Sequence, residues 1–192
     1  MAAVNALVLD VSRGLLLGAR QVASPNRDAR PPGVAIDLLV VHGISLPAGH
    51  FRGRAVEALF CNRLDPRAHP DFAPVAALRV SAHLFVRRGG TVIQFVPVTE
   101  RAWHAGVSCW QGRERCNDFS IGIELEGTDR HPYTHAQYHR LAQLCRLLMT
   151  GWPALRPERI VGHSDIAPGR KTDPGPLFDW AHFRALLAGV ET

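Results

Sequence analysis

The residues whose types most clearly suit catalysis or metal binding lie in one loop, between Val161 and Pro176. This loop contains His163, Lys171 and Asp173, and its prolines and glycines keep it from continuing as a helix or a strand. Loops of this kind hold side chains on a rigid scaffold, where binding and catalytic residues are concentrated. A histidine nitrogen and a carboxylate oxygen suit zinc, but two protein ligands are too few for a metal site.

His42 is the best candidate for a third ligand, because it follows the apolar run 35–41 and precedes Gly43. In open α/β sheets, ligands bind beyond the carboxyl ends of the strands. The set His42, His163 and Asp173 would leave a fourth tetrahedral position for water, which is typical of a catalytic zinc site. The alternative is that His42 is an ordinary histidine at a strand end, which is the more common situation for a single histidine.

Apolar patterns predict the elements that must position these residues. The predicted strands cover residues 35–41, 79–86, 91–96, 120–127 and 160–161, and Gly89-Gly90 indicates a hairpin between two of them. The segment 120–127 alternates apolar and polar residues, which predicts a half-buried strand with Glu124 and Glu126 on one face. Helices are predicted at 55–60, after Thr134 as far as Pro153, and after Asp179.

The order of these elements predicts an α/β fold. Residues 1–34 carry turn signals such as Arg30-Pro31-Pro32-Gly33 and are predicted to be an irregular lead-in. The rest mixes strands and helices without internal repeats. The expectation is a single domain over residues 1–192, with a central mixed β-sheet flanked by helices.

Composition narrows the possible partners. The formal net charge of +5 could suit nucleic acid, but no nucleic-acid-binding motif is present, and a small anionic substrate accounts for the charge equally well. The sequence has no run of eighteen apolar residues, so no membrane association is expected. Its first seventeen residues lack the features of a secretory signal, which favours a cytoplasmic location. The four cysteines form no C-x-x-C pair, which disfavours a zinc–thiolate site.

Five motifs together resemble the zinc-dependent N-acetylmuramoyl-L-alanine amidases of type 2. They are His42 after a buried strand and the segments 79–83, 103–106, 117–124 and 162–175. The resemblance implies a fold shared with peptidoglycan recognition proteins and a Zn²⁺ cofactor. It also implies hydrolysis of the amide between the lactyl group of N-acetylmuramic acid and L-alanine. The likeness is greatest to the branch that cuts soluble 1,6-anhydro-muropeptides in cytosolic peptidoglycan recycling.

The resemblance also implies individual roles. It makes His42, His163 and Asp173 the zinc ligands, in agreement with the interpretation from residue types. Glu124 would be the catalytic acid and base, and Lys171 would stabilise the negative oxygen of the tetrahedral intermediate. Without the resemblance, Glu124 would be interpreted as an exposed strand carboxylate and Lys171 as a solvated lysine.

The predicted substrate contacts are Arg79, Trp103 and Arg115. A guanidinium holds a carboxylate through two hydrogen bonds, so the two arginines suit the carboxylates of a muropeptide. His104 beside Trp103 could also touch substrate, whereas Glu126 is expected to be structural. His83 is expected to be a core histidine unless it lies near the site.

The family pattern differs at one position, and other functions remain open. Gly43 stands where relatives carry Asn, so one hydrogen bond to substrate is expected to be lost. Another possible function is a non-catalytic peptidoglycan-binding module of the same fold, which should lack a metal ligand. A further possibility is an amidase that acts on intact cell wall outside the cytosol, which the absence of signal features disfavours.

Overall fold

A computed structural model describes residues 6–190 of the chain. Its strands are β1 (Val8–Asp10), β2 (Leu15–Leu17), β3 (Arg20–Gln21), β4 (Arg27–Asp28), β5 (Leu38–Ile44), β6 (Leu84–Val86), β7 (Val92–Gln94), β8 (Arg101–Ala102), β9 (Cys109–Trp110), β10 (Arg113–Glu114), β11 (Ser120–Glu126) and β12 (Ile160–Gly162). Its helices are α1 (Ala55–Phe60), α2 (His135–Gly151), α3 (His163–Ile166) and α4 (Trp180–Leu187), with 3₁₀ turns at Cys116–Asp118 and Pro157–Arg159. No helix within residues 6–190 has the length and apolar character needed to cross a membrane.

Six strands form one mixed sheet in the order β12–β5–β11–β6–β7–β3. Strands β12, β5, β11 and β6 run parallel to one another. Strand β7 is antiparallel to β6, and β3 is parallel to β7. Three separate strand pairs surround this sheet: β1–β2, β4–β8 and β9–β10. The prediction of an α/β fold around a central mixed sheet is therefore confirmed.

The alternation of side chains along β5 separates the core from the functional face. Leu39 and Val41 belong to the largest hydrophobic cluster, which also contains the buried residues of α2 and α4. Leu38 and Val40 point the other way and pack in a cluster with residues from the segment 105–119 and from α3. His42 continues the second series, because successive side chains of a strand point to opposite faces.

The helices form where their caps and apolar faces predict them. Thr134 caps α2, because its hydroxyl accepts from the Gln137 amide at 3.2 Å. In turn, the side-chain oxygen of Gln137 accepts from the Thr134 amide. The helix buries Leu141, Leu144 and Leu148 and ends at Gly151, two residues before Pro153. Asp179 caps α4 by accepting from the His182 amide at 2.9 Å.

The prediction of an irregular lead-in over residues 1–34 is wrong for its described part. Residues 8–10 and 15–17 form a hairpin, and Arg20–Gln21 adds β3 to the edge of the main sheet. Arg27–Asp28 pairs with Arg101–Ala102. These strands have two or three residues and distant partners, so they leave no local period in the sequence.

Two predicted strands also differ from the structure. Residues 79–83 lie outside β6, because the amides of Ser81 and His83 donate to the carbonyls of Trp103 and Gly122 rather than to a regular ladder. The segment predicted as a half-buried strand is β11, which is almost entirely buried. It lies in the middle of the sheet with both faces covered, as is usual for parallel strands.

Candidate active site

The parallel register brings three sequence-predicted residues to the same end of the sheet. His42 lies beside Glu124 in the β5–β11 ladder, and Gly162 lies beside Val41 in the β12–β5 ladder. The next residue, His163, starts α3 adjacent to His42. The loop after α3 returns to the strand end, where the Ser164 amide donates to the Asp173 carbonyl at 3.0 Å.

Three donor atoms converge at this strand end. The Nδ1 atoms of His42 and His163 are 3.0 Å apart, and Oδ2 of Asp173 lies 3.2 Å from the first and 3.0 Å from the second. Among the residues that the structure describes, this is the group of histidine, cysteine and acidic side chains placed to hold a metal ion. Both imidazoles are buried.

The donor geometry fits a bound metal ion. Ligand atoms at about 2.0–2.1 Å from a tetrahedral ion are separated by about 3.3 Å, close to the three distances observed. Hydrogen bonds alone explain the arrangement poorly, because two ring nitrogens face each other and share one carboxylate oxygen. Burial lowers the pKa of His42 to about 4, so its imidazole is neutral at pH 7, as a metal ligand must be.

The side chain of Glu124 lies next to this cluster and is half-buried, with its Oε2 atom enclosed. Burial and the negative charge of Asp173 raise its pKa well above the usual range, although Lys171 opposes the shift. Its Oε2 atom has no hydrogen-bond partner among residues 6–190. An unpartnered buried carboxyl oxygen beside a metal site is suited to exchanging a proton with a reacting group.

A cavity of about 230 Å³ opens over these groups. Its lining includes Glu124, His163, Asp173 and Lys171 together with apolar side chains such as Leu59 and Val75. Lys171 is exposed at the rim, and its ammonium lies close enough to Glu124 and His42 to affect their pKa values. The cavity therefore combines a cationic rim, an apolar wall and the metal-binding cluster.

The three predicted substrate-binding residues are distributed over two adjoining cavities. Arg79 and Trp103 line a cavity of about 170 Å³ that also includes His163 and Lys171, next to the metal cluster. Arg115 lines a larger cavity of about 540 Å³ further along, where its Nε atom is 3.3 Å from Oδ2 of Asp118. Gly106 and Arg170 line both cavities, so the two adjoin each other.

Three other polar candidates have structural contacts. His83 accepts from the Gly122 amide at Nδ1 (3.0 Å), and its Nε2 lies 3.0 Å from the Glu100 carbonyl, so it is a satisfied core histidine. Glu126 is buried and accepts from the amides of Arg52 and Arg88 and from the Arg87 guanidinium. His104 lies behind His42, with its Nδ1 atom 2.9 Å from Nε2 of His42.

Tyr133 was not singled out by the sequence, although it closes the site from the side of α2. Its hydroxyl donates to the carbonyl of Pro174 at 2.8 Å, next to Asp173. Its ring covers Gly43 and Gly127, and a Cβ atom at Gly43 would lie 2.3 Å from the hydroxyl oxygen. Glycines inside strands often mark such close approaches, and this was the signal available in the sequence.

Fold and site together define a class of protein. A mixed α/β domain holds a cluster of two histidines and one aspartate at the carboxyl ends of its parallel strands, beside a glutamate with one enclosed, unpartnered oxygen. Two histidines and a carboxylate around a metal with an open position are typical of metal-assisted hydrolases.

Comparison with known proteins makes the assignment specific. Residues 32–176 match the family described as N-acetylmuramoyl-L-alanine amidase. The chain is 58% identical over 182 residues to the 1,6-anhydro-N-acetylmuramyl-L-alanine amidase AmpD of Escherichia coli K12, covering 95% of this chain and 99% of that protein. The chain belongs to the N-acetylmuramoyl-L-alanine amidase family.

Solved structures agree with this family membership. The crystal structure of a selenomethionine derivative of AmpD superposes with a TM-score of 0.90 at 58% identity, covering 94% of this chain and 99% of that one. The amidase AmiD from E. coli, in complex with the substrate anhydro-N-acetylmuramic acid-L-Ala-D-γ-Glu-L-Lys, superposes with a TM-score of 0.60 at 30% identity. That match covers 97% of this chain and 66% of the AmiD chain.

Proposed function

We propose that this protein is a zinc amidase that hydrolyses the bond between the lactyl group of 1,6-anhydro-N-acetylmuramic acid and L-alanine in soluble muropeptides. The observation that carries the proposal is the convergence of His42, His163 and Asp173 beside the unpartnered carboxyl of Glu124. The substrate is inferred from the 58% identity to AmpD over nearly the whole of both chains. The same likeness supports a role in peptidoglycan recycling, which we propose to take place in the cytoplasm.

Zinc is the metal that best suits two imidazole nitrogens and one carboxylate oxygen with a fourth position open. When bound, the ion would supply Lewis-acid polarisation of the scissile carbonyl and lower the pKa of water. The protein supplies the ligands, the apolar wall and the proton-transfer group. The observed donor separations of 3.0–3.2 Å support this assignment.

Glu124 is proposed to move the proton during hydrolysis. Its carboxylate accepts a proton as water attacks the lactyl carbonyl, and the carboxylic acid then donates this proton to the departing amine of L-alanine. The raised pKa of Glu124 in its buried position favours the second transfer, because the proton is held until the C–N bond breaks. Lys171 is placed to stabilise the negative charge that develops on the carbonyl oxygen. Removing a donor of this kind typically slows catalysis by about 100- to 1000-fold.

Arg79, Trp103 and Arg115 are proposed to bind the substrate along these adjoining cavities. Arg79 and Trp103 are close enough to the cluster to contact the sugar or the first residues of the peptide. Arg115 lies further away and is proposed to pair with a peptide carboxylate. We expect Arg115→Ala to raise the Michaelis constant while leaving kcat near wild type, because the contact is remote from the scissile bond. Steady-state kinetics on a tripeptide muropeptide, compared with the same substrate lacking its terminal carboxylate, would measure this contribution.

The test of the function compares two substrates of the same enzyme. Purified 1,6-anhydro-muropeptides should be hydrolysed much faster than intact sacculi, and removal of zinc should abolish both reactions. Re-addition of zinc should restore them. Equal or faster release of peptides from sacculi would instead support a cell-wall amidase. Binding of muropeptide without turnover in the zinc-loaded protein would support a peptidoglycan-binding module.

A further inference from the structure

One stretch of chain supplies the acceptors for both histidine ligands. Nε2 of His42 lies 2.9 Å from Nδ1 of His104, and Nε2 of His163 lies 3.1 Å from the carbonyl oxygen of Ala105. His104 and Ala105 are consecutive residues of the loop after β8. A histidine that ligates a metal generally donates its other ring N–H to a fixed acceptor, which sets the tautomer and the ring orientation.

The direction of the hydrogen bonds on the His42 side follows from its far end. The hydroxyl of Ser120 lies 2.5 Å from the Cys116 carbonyl, which can only accept, so Ser120 donates there. Ser120 can therefore accept from Nε2 of His104 at 3.1 Å. The Nδ1 atom of His104 then carries no proton, and its lone pair accepts from Nε2–H of His42. As a result, the lone pair of His42 is at Nδ1, the atom that faces His163 and Asp173.

A close approach to β11 fixes the position of the His104 ring. The ring rests on Gly122 of β11, where a Cβ atom would lie 2.5 Å from Cγ of His104. The central strand thus has a glycine where the imidazole must approach it closely.

Asn117 holds both acceptor residues with a single atom. Its Oδ1 oxygen accepts from the His104 amide at 3.1 Å and from the Ala105 amide at 2.8 Å. On the His163 side, the Arg170 guanidinium also donates to the Ala105 carbonyl at 2.7 Å, which belongs to the next peptide unit. One amide side chain therefore holds both residues that carry the acceptors for the imidazoles.

We infer that Asn117 is a positioning residue for the metal site, which acts through His104 and Ala105 to hold both histidine ligands in the Nδ1-binding tautomer. This inference rests on the proposed metal site of His42, His163 and Asp173. The Asn117 side chain bonds to the amides of His104 and Ala105 and not to the metal ligands, but Asn117 also lines the cavity of about 170 Å³ that includes Arg79 and Trp103. Its predicted effect is on metal affinity and on the geometry of the bound ion.

The principal experiment measures metal affinity by competition with a chelator, with Zn²⁺ as the probe. Asn117→Ala should weaken zinc binding by about 10- to 100-fold, the range for residues that orient metal ligands. Asn117→Asp keeps an acceptor oxygen in the same place and should restore affinity to near the wild-type value. In the Co²⁺-substituted protein, Asn117→Ala should shift the visible absorption bands, and Asn117→Asp should leave them unchanged.

A second pair of variants tests the His42 side independently. His104→Leu removes the acceptor and should weaken zinc binding by about 10- to 100-fold. His104→Asn keeps an oxygen near the position of Nδ1 and should bind more tightly than His104→Leu. This pair also keeps the inference testable if Asn117→Ala fails to fold.

A matched control separates positioning from general loss of stability. Asn26 is a buried asparagine whose amide donates to the carbonyls of Phe60 and Val80 and to Asn62. Asn26→Ala should lower the thermal midpoint of the metal-free protein without changing zinc affinity. Equal zinc affinity in Asn117→Ala and wild type would overturn the inference, as would failure of Asn117→Asp to rescue it. Absence of zinc binding in the wild type would instead overturn the proposed metal site.

Discussion

Two polar clusters built around buried histidines lie close together, but they are built differently. The metal-site cluster consists of His42, His163, Asp173 and Glu124. The core polar cluster consists of His83 and Arg30. Both contain neutral imidazoles, and the pKa of His83 falls to about 3 through burial, below the value of about 4 for His42.

The difference lies in how the polar atoms are satisfied. Nδ1 of His83 accepts from the Gly122 amide, and its Nε2 faces the Glu100 carbonyl. Arg30 donates to the carbonyls of Val98, Asn117, Asp118 and Ser120. In the metal-site cluster, three donor atoms face one another and one carboxyl oxygen of Glu124 has no partner within the described chain. A shifted pKa therefore does not distinguish the two clusters, whereas the convergence of unsatisfied atoms does.

The largest expected effect comes from removing a ligand of the metal-site cluster. Asp173→Ala leaves two imidazoles, which are too few to hold the ion, so zinc and amidase activity should both be lost. Metal analysis after dialysis and hydrolysis of 1,6-anhydro-muropeptides provide the two measurements. Asp65→Ala, at an exposed turn, is the control and should retain both. Full zinc occupancy in Asp173→Ala would mean that another side chain, such as Glu124, takes part in binding the ion.

Removal of Arg30 should have the largest effect on the core polar cluster. Each buried carbonyl that loses its donor costs about 1–3 kcal/mol, so Arg30→Met should lower the free energy of unfolding by roughly 3–5 kcal/mol. Urea denaturation of the metal-free protein measures this loss. Arg30→Lys keeps the charge but lacks the planar set of N–H donors, so it should recover only part of the lost free energy of unfolding. A loss below about 1 kcal/mol would show that the carbonyls find other donors.

Glu124→Gln tests whether the unpartnered carboxyl acts in the reaction. The amide has a similar shape but cannot accept and return the proton, so kcat should fall by about 100-fold or more, or about 2.7 kcal/mol of transition-state stabilisation. Zinc content and the Michaelis constant should remain near wild type. Unchanged turnover would remove Glu124 from the mechanism and weaken the contrast between the two clusters.

The smallest expected effect concerns the pH dependence of stability. The folded pKa of His83, about 3, lies below the ordinary value of 6.5, so the unfolded chain binds a proton first as the pH falls. Stability of the metal-free protein should therefore decrease from about pH 6.5 towards pH 3. His83→Gln should reduce this slope by up to one proton and leave zinc affinity unchanged. Urea midpoints between pH 7 and pH 4.5 provide the test, and identical slopes would contradict it.

The sequence predicted the metal-site donors because each stands at the edge of a strong local signal. His42 follows an apolar run, and His163 and Asp173 lie in a loop rich in proline and glycine. The carboxyl ends of neighbouring parallel strands lie at the same edge of a sheet, so no further signal in the sequence was needed to bring these residues together. The helices were equally accessible, since Thr134 and Asp179 are caps followed by regular apolar spacing.

What the sequence did not reveal depends on contacts between distant segments. Arg20–Gln21 becomes a strand only by pairing with Ile93–Gln94, and two residues carry no period. Asn117 was part of a recognised motif, but its bonds to two consecutive amides depend on how the loop after β8 folds back. His104 could be noticed as a histidine, yet only the structure shows that its ring lies behind His42, with its Nδ1 atom 2.9 Å from Nε2 of His42.

The close approach of Tyr133 to Gly43 means that the side chain possible at position 43 depends on the residue at position 133. The backbone at Gly43 is not in the left-handed region, so its conformation alone would admit any side chain. The obstacle is the Tyr133 hydroxyl, which is itself tied to Pro174 beside a metal ligand. An asparagine at position 43 would require this ring to move first. The identity of residue 43 is thus contingent on residue 133, and mutations at the two positions should be strongly non-additive.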